Sequence, residues 1–114
     1  MSTFPIVYSA DVERSARFYA QAFGFEQTYR WPSEGGPLEY VALRRGDSHL
    51  GIGLGEGRGG FELCLYVEDV DATAESLRTL GAREVAPPAD QPWGERLAFF
   101  EDPDGHRLHV TMPL

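Results

Sequence analysis

An α+β fold built from two tandem βαβββ modules is predicted by three observations. The order strand, helix, strand, strand, strand can be read twice along the chain. Both helices open on the same dipeptide, Asp11-Val12 and Asp69-Val70, and both stop at a glycine, Gly24 and Gly81. The two halves are offset by roughly 57 residues, which makes residues 1–57 and 58–114 the modules of one domain spanning residues 1–114.

Residues 4–9 read as a short strand, with Phe4, Ile6 and Tyr8 on one face by alternation. Asp11 then caps a helix whose apolar positions Val12, Ala16, Tyr19 and Phe23 follow helical spacing. Strand-like segments follow at about 25–31, 38–45 and 48–54, separated by Pro32 to Pro37 and by Gly46-Asp47. In the second half Phe61 to Val67 is the strand, and Val70, Ala74, Leu77 and Leu80 are the apolar stripe of the helix. Segments near 83–86, 95–101 and 106–112 complete the module, the last two joined by the turn Asp102-Pro103-Asp104-Gly105. The glycine-rich run from Gly55 to Gly60 matches a dinucleotide-binding pattern, but a strand follows it where that pattern needs a helix N-terminus, so it reads as the linker between modules.

Eight strands with two helices on one side leave the other side free to curl into a mixed-sheet cup with the helices outside. If Leu63, Leu65 and Val67 pack on the helix, Glu62, Cys64 and Tyr66 look the other way. His106 and His109 point to opposite faces, because their separation along one strand is odd.

The bulk properties bound the partners. At 114 residues, 42% hydrophobic and 25% charged, the chain can bury a core without disulfides or a structural metal. A net charge of −8 repels the phosphate backbone of nucleic acid and an anionic membrane surface, and it attracts cations. No stretch approaches the roughly 20 apolar residues of a membrane span, and residues 1–6 lack a basic leader, so the expectation is a cytoplasmic protein. The lone Cys64, in an apolar run, is expected to be a buried, inert thiol. No serine lies in a Gly-x-Ser-x-Gly context.

Three motifs carry a family resemblance: Asp11 to Tyr19 running on to Phe23-Gly24-Phe25, then Val67-Glu68-Asp69-Val70-Asp71, then Trp93-Gly94 with Phe100 to His106. With them the chain resembles the glyoxalase, bleomycin-resistance and extradiol-dioxygenase superfamily over nearly its whole length. Metal-dependent enzymes of that family place His or Glu ligands at one point on the first, fourth, fifth and eighth strands. The resemblance puts those points on Phe4, Gly51, Glu62 and His109. Phe4 and Gly51 offer no donor, and two protein ligands fall short of the three that usually hold a catalytic metal. The resemblance therefore implies no metal cofactor, with a displaced site using His49, Glu62 and His109 left open. Glu62, if inward, should face water, pair with His109 or Arg96, or await a cationic ligand group.

With the metal positions vacant, the aromatics Phe4, Tyr8, Trp31, Tyr40, Phe61, Tyr66, Trp93 and Phe99 become the informative residues. Trp31 and Trp93 stand beside loops rich in Pro and Gly, where an indole serves either as a wall for a planar ligand or as core. The candidate ligand-binding set is Phe4, Tyr8, Trp31, Tyr40, His49, Glu62, Tyr66, Trp93, Phe99 and His109. The resemblance implies a drug-sequestering resistance protein, a homodimer whose crevices trap a bleomycin-like, mitomycin-like or enediyne antibiotic without chemistry. The alternatives are a metal-dependent lyase, isomerase or dioxygenase of the same fold, and a regulatory module that senses a metabolite.

Overall fold

The structure is a computed structural model and describes residues 4–56 and 62–114. The chain divides into two compact units, Met1–Arg58 and Gly59–Leu114. The first holds β1 (Ile6–Ser9), α1 (Val12–Phe23), β2 (Glu26–Trp31), β3 (Tyr40–Arg45) and β4 (Ser48–Leu54). The second holds β5 (Glu62–Tyr66), α2 (Val70–Thr79), β6 (Arg83–Asp90), β7 (Glu95–Glu101) and β8 (Arg107–Pro113). The expected βαβββ order is present twice. Phe61 and the linker reading of Gly57 to Gly60 lie outside the described residues.

Each unit is a four-stranded mixed sheet with one helix against one face. The strand orders are β1-β4-β3-β2 and β5-β8-β7-β6, and in each the first pair is parallel and the rest antiparallel. The register repeats as well: Ile6 pairs with Gly51 and Cys64 with His109, so 58 residues separate each member of one pair from its counterpart.

The helices form where the capping chemistry places them. Asp11 and Asp69 each accept a hydrogen bond at 3.0 Å from the backbone N–H three residues on, Arg14 and Ala72, which satisfies an N–H that the first turn leaves free. Gly24, at φ 77°, closes α1 by donating to Ala20 O, a conformation that a side chain would strain. α1 buries Val12, Ala16, Phe18, Tyr19 and Phe23, with Phe18 and Phe25 edge-on to Tyr19 at 5.3 and 6.0 Å. α2 buries Val70, Ala74 and Leu77. Against these faces the sheets present Val7, Val41, Leu43, Leu50 and Ile52 in the first unit and Leu65, Ala98, Phe100, Leu108 and Val110 in the second. Fully burying each such Leu, Ile, Val or Phe side chain contributes about 1.5–3 kcal/mol.

Several expectations need correcting. The first strand starts at Ile6, leaving Phe4 ahead of it. Leu80 caps α2 and is exposed, because it lies one position past the last helical residue, Thr79. β6 runs on through Pro87 and Pro88 to Asp90, where the sequence reading ended it at residue 86. An edge strand tolerates prolines because its outward N–H groups need no partner, and the β6–β7 register shifts between Ala86 and Ala89 to accommodate them. The last strand starts at Arg107, since His106 still belongs to the turn, its N–H held by Asp102 Oδ1 at 2.8 Å.

Candidate functional site

Alternation divides each sheet into a helix-covered face and a face turned away from the helix. In the first unit the second face has a row in register across all four strands: Tyr8, Gly53, Tyr40 and Trp31. Beside it runs Ile6, Gly51, Ala42 and Tyr29. Tyr8, Tyr29 and Trp31 are each at least half exposed, and the Tyr29 and Tyr40 ring centroids lie 6.3 Å apart.

The two glycines of β4 make this arrangement possible. A Cβ on Gly51 would lie 2.6 Å from Tyr40 Oη and 3.1 Å from Ile6 Cγ1; one on Gly53 would lie 3.0 Å from Tyr8 Cε1. The tyrosine rings thus occupy the space that side chains at 51 and 53 would take. Phe4 is exposed ahead of β1, and His49 is exposed on β4 opposite Arg44.

In the second unit the corresponding face carries Glu62, Cys64 and Tyr66 on β5, Arg107, His109 and Thr111 on β8, and Phe99 and Leu97 on β7. Glu62 pairs with His109, Oε2 to Nε2 at 3.2 Å, and more distantly with Arg107 Nη1 at 3.8 Å. Arg96, the other expected partner of Glu62, is engaged elsewhere. It binds Asp71 bidentately at 2.8 and 2.9 Å and Asp90 at 2.8 Å, tying β7 to α2 and β6. The Arg96 hydrogen bonds hold the Asp71 carboxyl below the usual aspartate range.

The His109 ring meets Phe99 edge-on at 4.6 Å, and the Arg107 guanidinium lies 5.8 Å above the same ring. Arg107 Nε, His109 Nε2 and Thr111 Oγ1 are buried without a well-formed hydrogen bond, the 3.2 Å approach of His109 to Glu62 lying outside hydrogen-bond alignment. Buried polar atoms without partners are rare in native proteins, and three on one strand face can serve the polar groups of a ligand.

Trp93 is 63% exposed in the turn before β7, and Trp31, at 55%, ends β2, so neither indole is core. Cys64 corrects its expectation: alternation turns it away from the helix, and it is exposed. Partial burial, with the nearby Glu95 charge, pushes its thiol above the ordinary value, which keeps it protonated and a poor nucleophile at neutral pH. Glu95 itself was missed by the sequence reading. It accepts hydrogen bonds from Tyr66 Oη and Trp93 Nε1, each at 2.8 Å, and the first of these, ahead of the carboxylate's charge, raises the Tyr66 phenol. Its signal was positional, since it shares a strand face with Leu97 and Phe99.

The four chelate points implied by resemblance divide unevenly. Glu62 and His109 are neighbours in the second unit, while in the first unit Phe4 is apolar and Gly51 is overlain by Tyr40. Among the described residues no group of three or more His, Cys, Asp or Glu comes together. The four chelate points thus offer two donors, Glu62 and His109, where a catalytic metal usually needs three protein ligands. No helix among the described residues is long and apolar enough to cross a membrane.

Comparison with known proteins agrees with the doubled βαβββ fold. The family model described as glyoxalase/bleomycin resistance protein/dioxygenase superfamily matches residues 4–110. A protein of Synechocystis sp. named probable lactoylglutathione lyase is 27% identical, over 88% of this chain and 86% of its own. Among solved structures, TioX from Micromonospora sp. ML1 superposes with a TM-score of 0.80 at 24% identity, covering 100% of this chain and 97% of TioX. The fosfomycin resistance protein FosX from Mesorhizobium loti gives 0.77 at 21%, covering 100% and 92%. At these identities the two structures speak to the fold alone. Taken with the doubled βαβββ module, the family match establishes that the chain belongs to the glyoxalase/bleomycin resistance protein/dioxygenase superfamily.

Proposed function

We propose that this chain is a cytoplasmic antibiotic-binding protein that traps a flat aromatic drug without chemistry, working as a homodimer. In this reading residues 1–114 form one domain made of modules 1–57 and 58–114, each of which turns a helix-free sheet face toward ligand. The observation that carries it is Tyr40 Oη lying 2.6 Å from where a side chain at Gly51 would begin, so that an aromatic stands where the metal-dependent relatives need a ligand. Half-exposed rings at Tyr8, Trp31, Tyr66 and Trp93 supply stacking surface, and the polar atoms of Arg107, His109 and Thr111 supply orientation. A fosfomycin resistance protein shares the fold. Trapping protects in proportion to affinity and protein concentration.

The alternative, a metal-dependent lyase, isomerase or dioxygenase, draws on the relative named probable lactoylglutathione lyase and on the Glu62–His109 pair. It would need a third donor. The deciding experiment combines a tryptophan-quenching screen with metal-free bleomycin, mitomycin C and an enediyne, product analysis after incubation, and light scattering. One drug bound per protomer, recovered unaltered, on a dimer at micromolar concentration is the expected result. A transformed drug, or no quenching by any class, would overturn the proposal, and a monomer mass would remove the shared crevice.

A further inference from the structure

Glu95 opens β7 directly after the turn that carries Trp93, and its two carboxylate oxygens serve two different rings. Tyr66 Oη, on β5, donates to Oε2 at 2.8 Å, and Trp93 Nε1 donates to Oε1 at 2.8 Å. Both rings are more than half exposed, at 57% and 63%. An exposed indole in a glycine-containing turn has rotamer freedom to lose when a ligand stacks on it, and so has an exposed phenol. Here one carboxylate fixes both polar ends in advance. The turn backbone is fixed too, by Gly94 N donating to Gln91 O at 3.1 Å and Gln91 N donating to Glu95 O at 2.7 Å.

Charge adds selectivity. Both bonds come from neutral donors, and no basic side chain among the described residues pairs with Glu95, so its negative charge stays uncompensated. That charge acts on the phenol of Tyr66 and on the thiol of Cys64. Aromatic faces are themselves negative, so a planar cation gains at both rings and from the carboxylate, while a planar anion is repelled.

We infer that Glu95 is the positioning and specificity-determining residue of an aromatic pair, Tyr66 and Trp93, that takes a planar, positively charged aromatic group. The inference rests on the binding function proposed above and names the chemical class and the residue that selects it.

Two measurements separate its parts. In a Trp31→Phe background Trp93 is the sole indole, and its time-resolved anisotropy reports ring motion without any ligand. Glu95→Ala should enlarge the fast component, and in the otherwise native chain it should lower a tyrosine ionisation midpoint, read at 295 nm. Glu95→Gln, which keeps the size and removes the charge, should do the second. Affinity is then read in the native chain with two probes on one ring system, cationic 9-aminoacridine and anionic acridine-9-carboxylate. The cation should bind at least tenfold more tightly, and either Glu95 variant should shrink that preference at least fivefold. Unchanged ring motion and titration in folded Glu95→Ala would overturn the positioning role. An unchanged cation preference would overturn the selectivity. If neither acridine bound at millimolar concentration the charged-planar ligand class would fall, with the positioning role still decided by anisotropy. The antibiotic screen described above judges the binding function separately.

Discussion

The hydroxyl of Tyr40 on β3 lies 2.6 Å from the point where a Cβ on Gly51 of β4 would sit, so one residue's ring depends on the other's having no side chain. Gly51→Ala should therefore be destabilising, although glycine in a strand interior is by itself worse than alanine by about 0.5–1 kcal/mol. Overpacking costs about 1–3 kcal/mol, and that term should dominate. In a Tyr40→Ala background the same substitution should cost less, with a coupling of about 0.5–3 kcal/mol from urea melts of the four proteins. Strict additivity would mean that the two residues do not meet.

Arg96 and Asp71 give a pH signature. The folded Asp71 carboxyl is held below its ordinary value by the Arg96 hydrogen bonds, so the stability it contributes is fully present above the unfolded value of about 3.9 and is lost as pH falls through the lower folded value. Asp71→Asn should accordingly melt below the wild type at pH 7, and the difference in Tm should shrink steadily as pH falls below 4. A gap that stays constant into strong acid would show that the carboxylate's charge contributes nothing.

Trp93→Ala should separate binding from folding. At 63% exposure the indole buries little, so a denaturant midpoint should move only slightly, against the roughly 3–5 kcal/mol cost of truncating a core tryptophan. Loss of stacking, worth about 0.5–1.5 kcal/mol beyond area burial, together with the lost contact area should weaken an aromatic antibiotic at least tenfold. Unchanged affinity for a drug that quenches the wild type would remove Trp93 from the site.

Metal content follows from the donor set. With Glu62 and His109 adjacent but Phe4 and Gly51 at the other two positions, protein purified without chelator should hold no stoichiometric Zn, Ni, Mn or Fe, and EDTA should leave Tm unchanged. A chelator-induced drop of several degrees, or metal at one equivalent by mass spectrometry, would point to donors assembled in some other way.

The fold was readable because its signals are local. Asp11, Asp69, Gly24 and Gly81 punctuate the helices through bonds that span three or four residues, and alternation assigned Ile6, Tyr8, Glu62 and Tyr66 to the correct faces. Boundaries failed where tertiary context overrides local chemistry. Pro87 and Pro88 look like a stop, yet an edge position lets β6 continue. Cys64 looks buried among leucines, yet only its neighbours Leu63 and Leu65 turn toward the helix.

For the site, sequence supplied the aromatic inventory but not its wiring. Whether Glu62 would meet His109 or Arg96 depended on strand order, and Arg96 went instead to Asp71, 25 residues earlier in the chain. The clasp of Tyr66 and Trp93 on Glu95 joins β5 to the turn before β7, a proximity that no spacing rule encodes.

The paired prolines of β6 have a consequence in the crowded cell. A strand bordering a sheet is a template on which a second molecule can add its own strand, the first step toward insoluble aggregates. Pro87 and Pro88 have no N–H to offer such a newcomer, and the register shift around them breaks the flat ladder it would need. That border of the second sheet is interrupted by its own covalent structure. The same two residues that break the local ladder thus lower the risk that copies of the chain add to one another along this border.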